Sequence, residues 1–261
     1  MLFRSAWVNG AFVGGSTGNA SRSATWAVLD LTKASLHATD NVLTVVVDYT
    51  GHDETSTAKG IENPRGLLGA VLYAGNTTLD FTSWKIQGNA GGDANIDPVR
   101  GPLNEGGLYG ERRGWHLPGF APVAPVFEPG SPAQGLIRSG IAWYITTFEL
   151  DIDGGLDVPL GIELGAPNGT MASVQLWVNG YQYGKYIPQI GPQTRFPFPP
   201  GVLNNQGSNT LAMSKWAQTN AGAQLSNVTL FSYGVYESSF GFHRDWNYLQ
   251  PEWTEDRLQY V

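Results

Sequence analysis

The chain has 261 residues, 41% hydrophobic and 12% aromatic, enough to fill one large core or two modest ones. Only 14% are charged and 34 are glycine, a balance that points away from helical bundles and toward turn-rich β structure. With 15 Lys and Arg against 22 Asp and Glu, the net charge of -7 argues against a partner gripped through its phosphates, and no nucleic acid is expected.

At the start, Met1 to Gly10 has no apolar h-region of a secretory leader, and no run reaches the roughly 18 apolar residues of a membrane span, so no membrane partner is expected. Two readings of that start stay open: an intracellular chain, or one whose beginning is missing. The absence of Cys removes disulfides and thiolate metal sites and leaves the redox compartment unread. Four Asn-x-Ser/Thr sequons, at Asn19, Asn76, Asn168 and Asn227, are candidate N-glycosylation sites that hint at secretion.

The stretch "SAWVNGAFVGG" (5 to 15) returns as "VQLWVNGYQYGKY" (174 to 186), so W-V-N-G-x-x-x-G is written twice. Each copy reads as a hairpin: a strand carrying Trp inward, an Asn-Gly turn at positive φ, and a later Gly that lets the return strand bulge. Between the copies, "TWAVLDL" (25 to 31), "NVLTVVVDY" (41 to 49), "LLGAVLY" (67 to 73) and "LDFTSWKIQ" (79 to 87) read as strands. Residues 88 to 138 are too rich in Gly and Pro for a regular element and read as an ordered interdomain wrap. Strand patterns resume at 141 to 152, 157 to 164, 174 to 180, 182 to 187, 209 to 216 and 227 to 236. No amphipathic helix intervenes, which excludes a barrel of eight βα units.

The reading is therefore all-β, with two β-sandwich modules at 1–87 and 139–240, the connector at 88–138 and a tail at 241–261. The second module has strands ahead of its hairpin and the first has only six residues ahead of Trp7, so the first is expected to lack its opening strands. An uncovered edge predicts aggregation, dimerisation or poor order over residues 1 to 85, unless the aromatic tail covers the gap.

Several local patterns imitate active sites. Gly14-x-Ser16-x-Gly18 matches a nucleophile elbow without the helix that motif needs. Asp151, Asp153 and Asp157 could offer oxygens to calcium but lack the EF-hand spacing, and a β-turn is favoured. His52, Asp53 and Glu54 lack further ligands, so no metal and no cofactor are expected. Glu105 and Glu111 stand beside Arg112 and Arg113 and read as ion-paired loop carboxylates. Arg65, Glu111, Arg112, Arg113, Trp115 and His116 are candidates for structural contacts between domains. Trp216 with Lys215, and Tyr181 with Tyr183, are candidates for stacking on a galactose-containing carbohydrate, although core Trp is the commoner role.

The motifs "WVNGAFVGG", "NPRGLLGAVL", "NEGGLYGERRGWHLPGF", "GIAWYITTFELDI", "VQLWVNGYQYGKY" and "IGPQTRFPFPPGVLNNQGSNTLAMSKWA" resemble, nearly end to end, the C-terminal portion of secreted fungal-type β-galactosidases of glycoside hydrolase family 35. The resemblance implies two galactose-binding-like jelly rolls packed around a catalytic (β/α)-barrel, an extracellular location, and catalysis by two glutamates of that barrel. Neither glutamate can be placed in this sequence, so the chain is expected not to be an enzyme on its own. Two other readings stay open: a free-standing carbohydrate-binding protein, and a component of an active β-galactosidase completed by a separate barrel chain.

Overall fold

In the computed structural model of the chain, residues 4–16, 25–48, 66–87, 107–239 and 251–260 are described. They divide into two units, residues 1–86 with 218–220 and residues 87–217 with 221–261.

The first unit is built on β1 (Arg4–Val8), β2 (Ala11–Ser16) and β3 (Leu43–Val47), an antiparallel sheet in the order β2-β1-β3. Asn9 and Gly10 both take positive φ, 49° and 80°, the hand that matches the twist of a hairpin. Ala6 faces Gly14 while Trp7 faces Phe12, so Val13 is the extra residue of a bulge. Ala6, Val8 and Val13 are buried against Leu29, Leu31, Ala34, Leu43 and Val45, which makes a small one-sided core. A separate hairpin, β4 (Leu72–Ala74) with β5 (Thr77–Leu79), completes the described part of this unit.

The second unit places two sheets face to face. One joins β6 (Gly140–Asp151), β9 (Ala172–Val178), β10 (Tyr181–Tyr186) and β12 (Gln206–Ala217) in the order β10-β9-β12-β6. The other joins β8 (Leu160–Gly165), β11 (Arg195–Pro197) and β13 (Asn227–Ser232) in the order β11-β8-β13. A short ribbon pairs β7 (Leu156–Asp157) with β14 (Tyr236–Glu237). Leu160, Ile162 and Leu164 meet Val174, Leu176, Val178 and Met213 across the gap, with Tyr186, Phe196 and Phe198 filling it. Each such aliphatic side chain contributes about 1.5 to 3 kcal/mol by leaving water. All pairings among the described residues are antiparallel, and the fold class is all-β.

The second hairpin repeats the first in detail. Asn179 and Gly180 have φ of 47° and 82°, and Tyr183 is the bulged residue, placed after its Asn as Val13 is after Asn9. Gly184, beyond the bulge, cannot grow, because a Cβ there would sit 2.6 Å from the Phe196 ring.

Each turn is held by a second asparagine, Asn209 within β12 for one and Asn41, two residues ahead of β3, for the other. Asn179 donates through Nδ2 to the Val202 carbonyl (2.6 Å) and to Asn209 Oδ1 (2.8 Å), and its Oδ1 accepts from the Thr210 amide (2.8 Å). Asn9 does the same with the Ser35 carbonyl (3.0 Å), Asn41 Oδ1 (2.9 Å) and the Val42 amide (3.0 Å). The motif recurs because a turn, a bulge and a side-chain clasp are one construction used in both units.

Other expectations are corrected. Residues 25–31 form no strand: Trp26 and Val28 are exposed, and Asp30 caps a 3-10 turn at Leu31–Lys33 by accepting from the Thr32 amide. Of 67–73 only the end enters β4, and residues 80–87 form no strand and pair with none among the described residues. Among its described residues, 107–138, the wrap contains a helical turn, Tyr109–Arg112. The repeated Trp does not point into the sandwich: Trp177 lies on the opposite face of its strand from Val178, and Trp7 is half-buried against Phe12. The described tail residues, 251–260, pack within the second unit, where Trp253 donates its indole N–H to the Arg113 carbonyl.

Candidate functional site

Every residue of β9 is buried, so the four-stranded sheet is covered on both faces. Its inner face makes the sandwich core, and its outer face carries Trp143 of β6 and Ser173, Gln175 and Trp177 of β9, residues that an open sheet would turn to solvent. The cover comes from the helical turn Tyr109–Arg112 and the residues after it. Gly114 and Gly119 take positive φ, 72° and 85°, and bend this segment back onto the sheet.

The result is a layer of aromatic and charged groups. The Trp143 and Trp177 rings stack at 5.0 Å, His116 lies 5.4 Å from Trp177, and Trp115 meets Trp143 edge-on at 5.9 Å. Edge-on and stacked pairs of this kind add about 0.5 to 1.5 kcal/mol beyond their burial. Glu111 and His116 are fully buried and Arg112 nearly so, with the Arg112 guanidinium 5.9 Å from the Tyr109 ring. Gly110 is fixed by this packing, since a Cβ there would run into the rings of Trp115 and Trp143. Trp253 straps the segment from outside: its backbone amide donates to the Pro118 carbonyl (2.9 Å) and its ring approaches Phe120.

Glu111, Arg112, Arg113, Trp115 and His116 thus come together within the second unit. Sealed carboxylate and imidazole groups offer no surface to a substrate, whereas they fit a rigid support. Arg65 and Asn19 lie outside the described residues, as do Glu105 and His52 to Glu54. No group of three or more His, Asp or Glu able to hold a metal occurs among the described residues. Asp153 accepts from the Gly155 amide in a local turn, and Ser16 ends a strand.

The carbohydrate candidates separate by face. Trp216 is 5% exposed and Lys215 is fully buried. Lys215 shares the core face with Met213, donates Nζ to the Pro132 carbonyl (2.8 Å) and sits 4.9 Å from the Tyr144 ring. Burial pulls its ammonium down to about 8. Tyr183, the bulged residue, turns edge-on to Phe198 and buries a hydroxyl that has no hydrogen-bond partner among the described residues, and burial pushes its phenol well above the usual range. Tyr181 is half-buried at the turn. Asn76 and Asn168 are exposed in turns, whereas Asn227 is partly buried in β13 and accepts from Thr229 Oγ1.

The buried layer was missed by sequence reasoning except as a dense polar and aromatic cluster. The usable signal was Ser173, Gln175 and Trp177 alternating with Val174, Leu176 and Val178, which marks a second face that needs its own cover.

The sequence matches the family described as Beta-galactosidase second all-beta domain, over residues 2–53 and 109–221. The chain belongs to that family. The family match takes in both Asn-Gly hairpins and, in the second unit, starts at the helical turn that opens the buried layer. Relatives in this family's enzymes are close: the chain is 62% identical over 260 residues to "Probable beta-galactosidase C" of Sclerotinia sclerotiorum. It is 57% identical to the protein of that name from Penicillium rubens and 54% identical to that from Aspergillus oryzae, over 257 residues each. Each match covers 98% of this chain and 26% of the relative. The chain thus spans about a quarter of the length of these curated relatives.

Proposed function

We propose that the chain is the non-catalytic jelly-roll portion of a β-galactosidase-like glycoside hydrolase, supporting or extending a catalytic (β/α)-barrel that hydrolyses terminal β-galactosides. The observation that carries this reading is a match across 98% of the chain to about a quarter of proteins named as β-galactosidases. The sealed layer of Glu111, Arg112, His116, Trp143 and Trp177 supports it, since burial on both sheet faces stiffens a scaffold and leaves no carboxylate pair open across a glycosidic bond at that place. In finer detail the reading makes both units galactose-binding-like jelly rolls of a family 35 enzyme, with Glu111, Arg112, Arg113, Trp115 and His116 as structural contacts inside the second of them rather than against the barrel. Exposed sequons at Asn76 and Asn168 fit an extracellular location. The free-standing lectin reading has less support, because Trp216 and Lys215 are buried.

The test combines this chain with the separately produced catalytic portion of the Sclerotinia relative, in a chromogenic β-galactoside assay. The chain alone should be inactive, and its addition should lengthen the half-life of the catalytic portion on heating. Activity of the chain alone would overturn the non-catalytic reading, and an unchanged half-life would overturn the supporting role.

A further inference from the structure

The two units share one three-stranded arrangement: β2-β1-β3 in the first corresponds to β10-β9-β12 in the second. The clasps fix the register of that correspondence, with Asn41 and Val42 in the places of Asn209 and Thr210. Leu43, Val45 and Val47 therefore stand where Leu211, Met213 and Lys215 stand. One difference remains. β12 is paired on its far side along twelve residues of β6, whereas β3 pairs, among the described residues, with β1 alone.

The ladder parity says which groups this leaves open. Asn9 donates its amide to the Val42 carbonyl (3.0 Å), so Thr44 and Val46 turn their backbone groups toward β1 and Leu43, Val45 and Val47 turn theirs away. In the second unit the Asn179 amide donates to the Thr210 carbonyl (2.8 Å), and the same parity aims Leu211, Met213 and Lys215 at Thr146, Tyr144 and Ala142 of β6. Among the described residues no strand pairs with this outer edge of β3, which reads Leu-Thr-Val-Val-Val and carries no Pro, no charge and no bulge to blunt it.

We infer that the outer edge of β3 is a strand-acceptor site, filled by an antiparallel, alternately apolar segment like β6. Resting on the reading above, that segment belongs to the three quarters of the enzyme's length that these residues do not span. The segment adds main-chain bonds to Leu43, Val45 and Val47 and sets an apolar side chain opposite Val45, as Tyr144 stands opposite Met213.

The probe is a synthetic peptide, Gly-Ile-Ala-Trp-Tyr-Ile-Thr-Thr-Phe-Glu-Leu-Asp, copied from β6. It is added to the full chain while amide exchange is followed residue by residue by NMR. Exchange at Leu43, Val45 and Val47 should slow about tenfold or more at saturation, and Thr44 and Val46, already bonded to β1, should not change. N-methylation of the peptide at the Tyr in the place of Tyr144 should abolish the effect, and N-methylation at the preceding Trp, whose amide faces away, should spare it. No slowing, or slowing without that alternation, would overturn the site. Protection that grows with chain concentration in the absence of peptide would overturn the assigned occupant in favour of a second copy. The catalytic portion of the Sclerotinia relative provides the second arm. If it is stabilised by the chain without protecting β3, the strand site fails and the supporting role stands; if the peptide protects and the catalytic portion does neither, the reverse holds.

Discussion

Replacing Asn179 by Ala should cost the second unit far more than the same change at Asn9 costs the first. Asn179 is 1% exposed and its amide serves three partners, so the truncation takes a partner from the part-buried Val202 carbonyl and Thr210 amide and a donor from the buried Asn209. At about 1 kcal/mol for each part-buried group and about 1 to 3 kcal/mol for the buried Asn209, the loss comes to roughly 3 to 5 kcal/mol. A further kcal/mol or so arises because Ala tolerates φ near 47° less well than Asn. The Asn9 clasp has the same three bonds in a solvent-exposed setting, where water replaces them, so Asn9→Ala should cost about 1 kcal/mol, nearly all of it from the same positive φ, 49°. Urea unfolding followed by tryptophan fluorescence measures both. Asn179→Gly, which accepts the positive φ but makes no clasp, should retain most of the loss and so isolate the hydrogen bonds. Equal costs for the two alanine variants, or full recovery in Asn179→Gly, would refute the assignment of stability to the buried clasp.

Three further outcomes follow from the core and the layer. Because burial holds Lys215 at about 8, below its ordinary range, the folded state binds fewer protons than the unfolded chain above that pH. Stability should therefore rise by about 1 kcal/mol from pH 7 to 9, before unfolded tyrosines ionise near 10, and Lys215→Met should flatten this rise in urea melts taken across that range. Tyr183→Phe removes a buried hydroxyl without a partner and should stabilise by about 1 kcal/mol, read as a higher midpoint in thermal melts. Gly110→Ala drives a methyl into Trp115 and Trp143 and should destabilise the second unit by about 1 to 3 kcal/mol, with a changed near-ultraviolet circular dichroism from the disturbed indoles.

What the sequence disclosed and what it hid divide along physical lines. Hairpins were legible because Asn-Gly between apolar alternations is a local signal whose turn needs no distant help. The longer strands of the second unit were legible for the same reason, whereas β11, whose three residues end in a proline, carries too little pattern, and the two-residue β7 and β14 were merged into the runs of β8 and β13. Residues 25 to 31 misled because alternation records which side chains could share a face and is silent on whether a neighbouring strand exists. The clasp was invisible, since Asn41 and Asn209 lie about thirty residues from their partners and resemble any turn asparagine. Lys215 beside Trp216 suggested an exposed polar pair, yet counting by twos from Leu211 and Met213 places it on the core face. The cluster at residues 111 to 116 was noticed, and its burial was not, because the cover over a sheet's outer face is written elsewhere in the chain.

The Trp253 strap bears on how much of this chain can be cut away. Excising residues 139–240 alone would keep both sheets of the sandwich and discard the cover, leaving Trp143 and Trp177 as a bare aromatic stripe. The smallest self-sufficient piece of the second unit therefore runs from the helical turn at Tyr109 through the 3-10 turn at Glu255–Tyr260. Autonomy here belongs to the wrapped sandwich, and a protease that nicked the strap would act on the sheet it never touches.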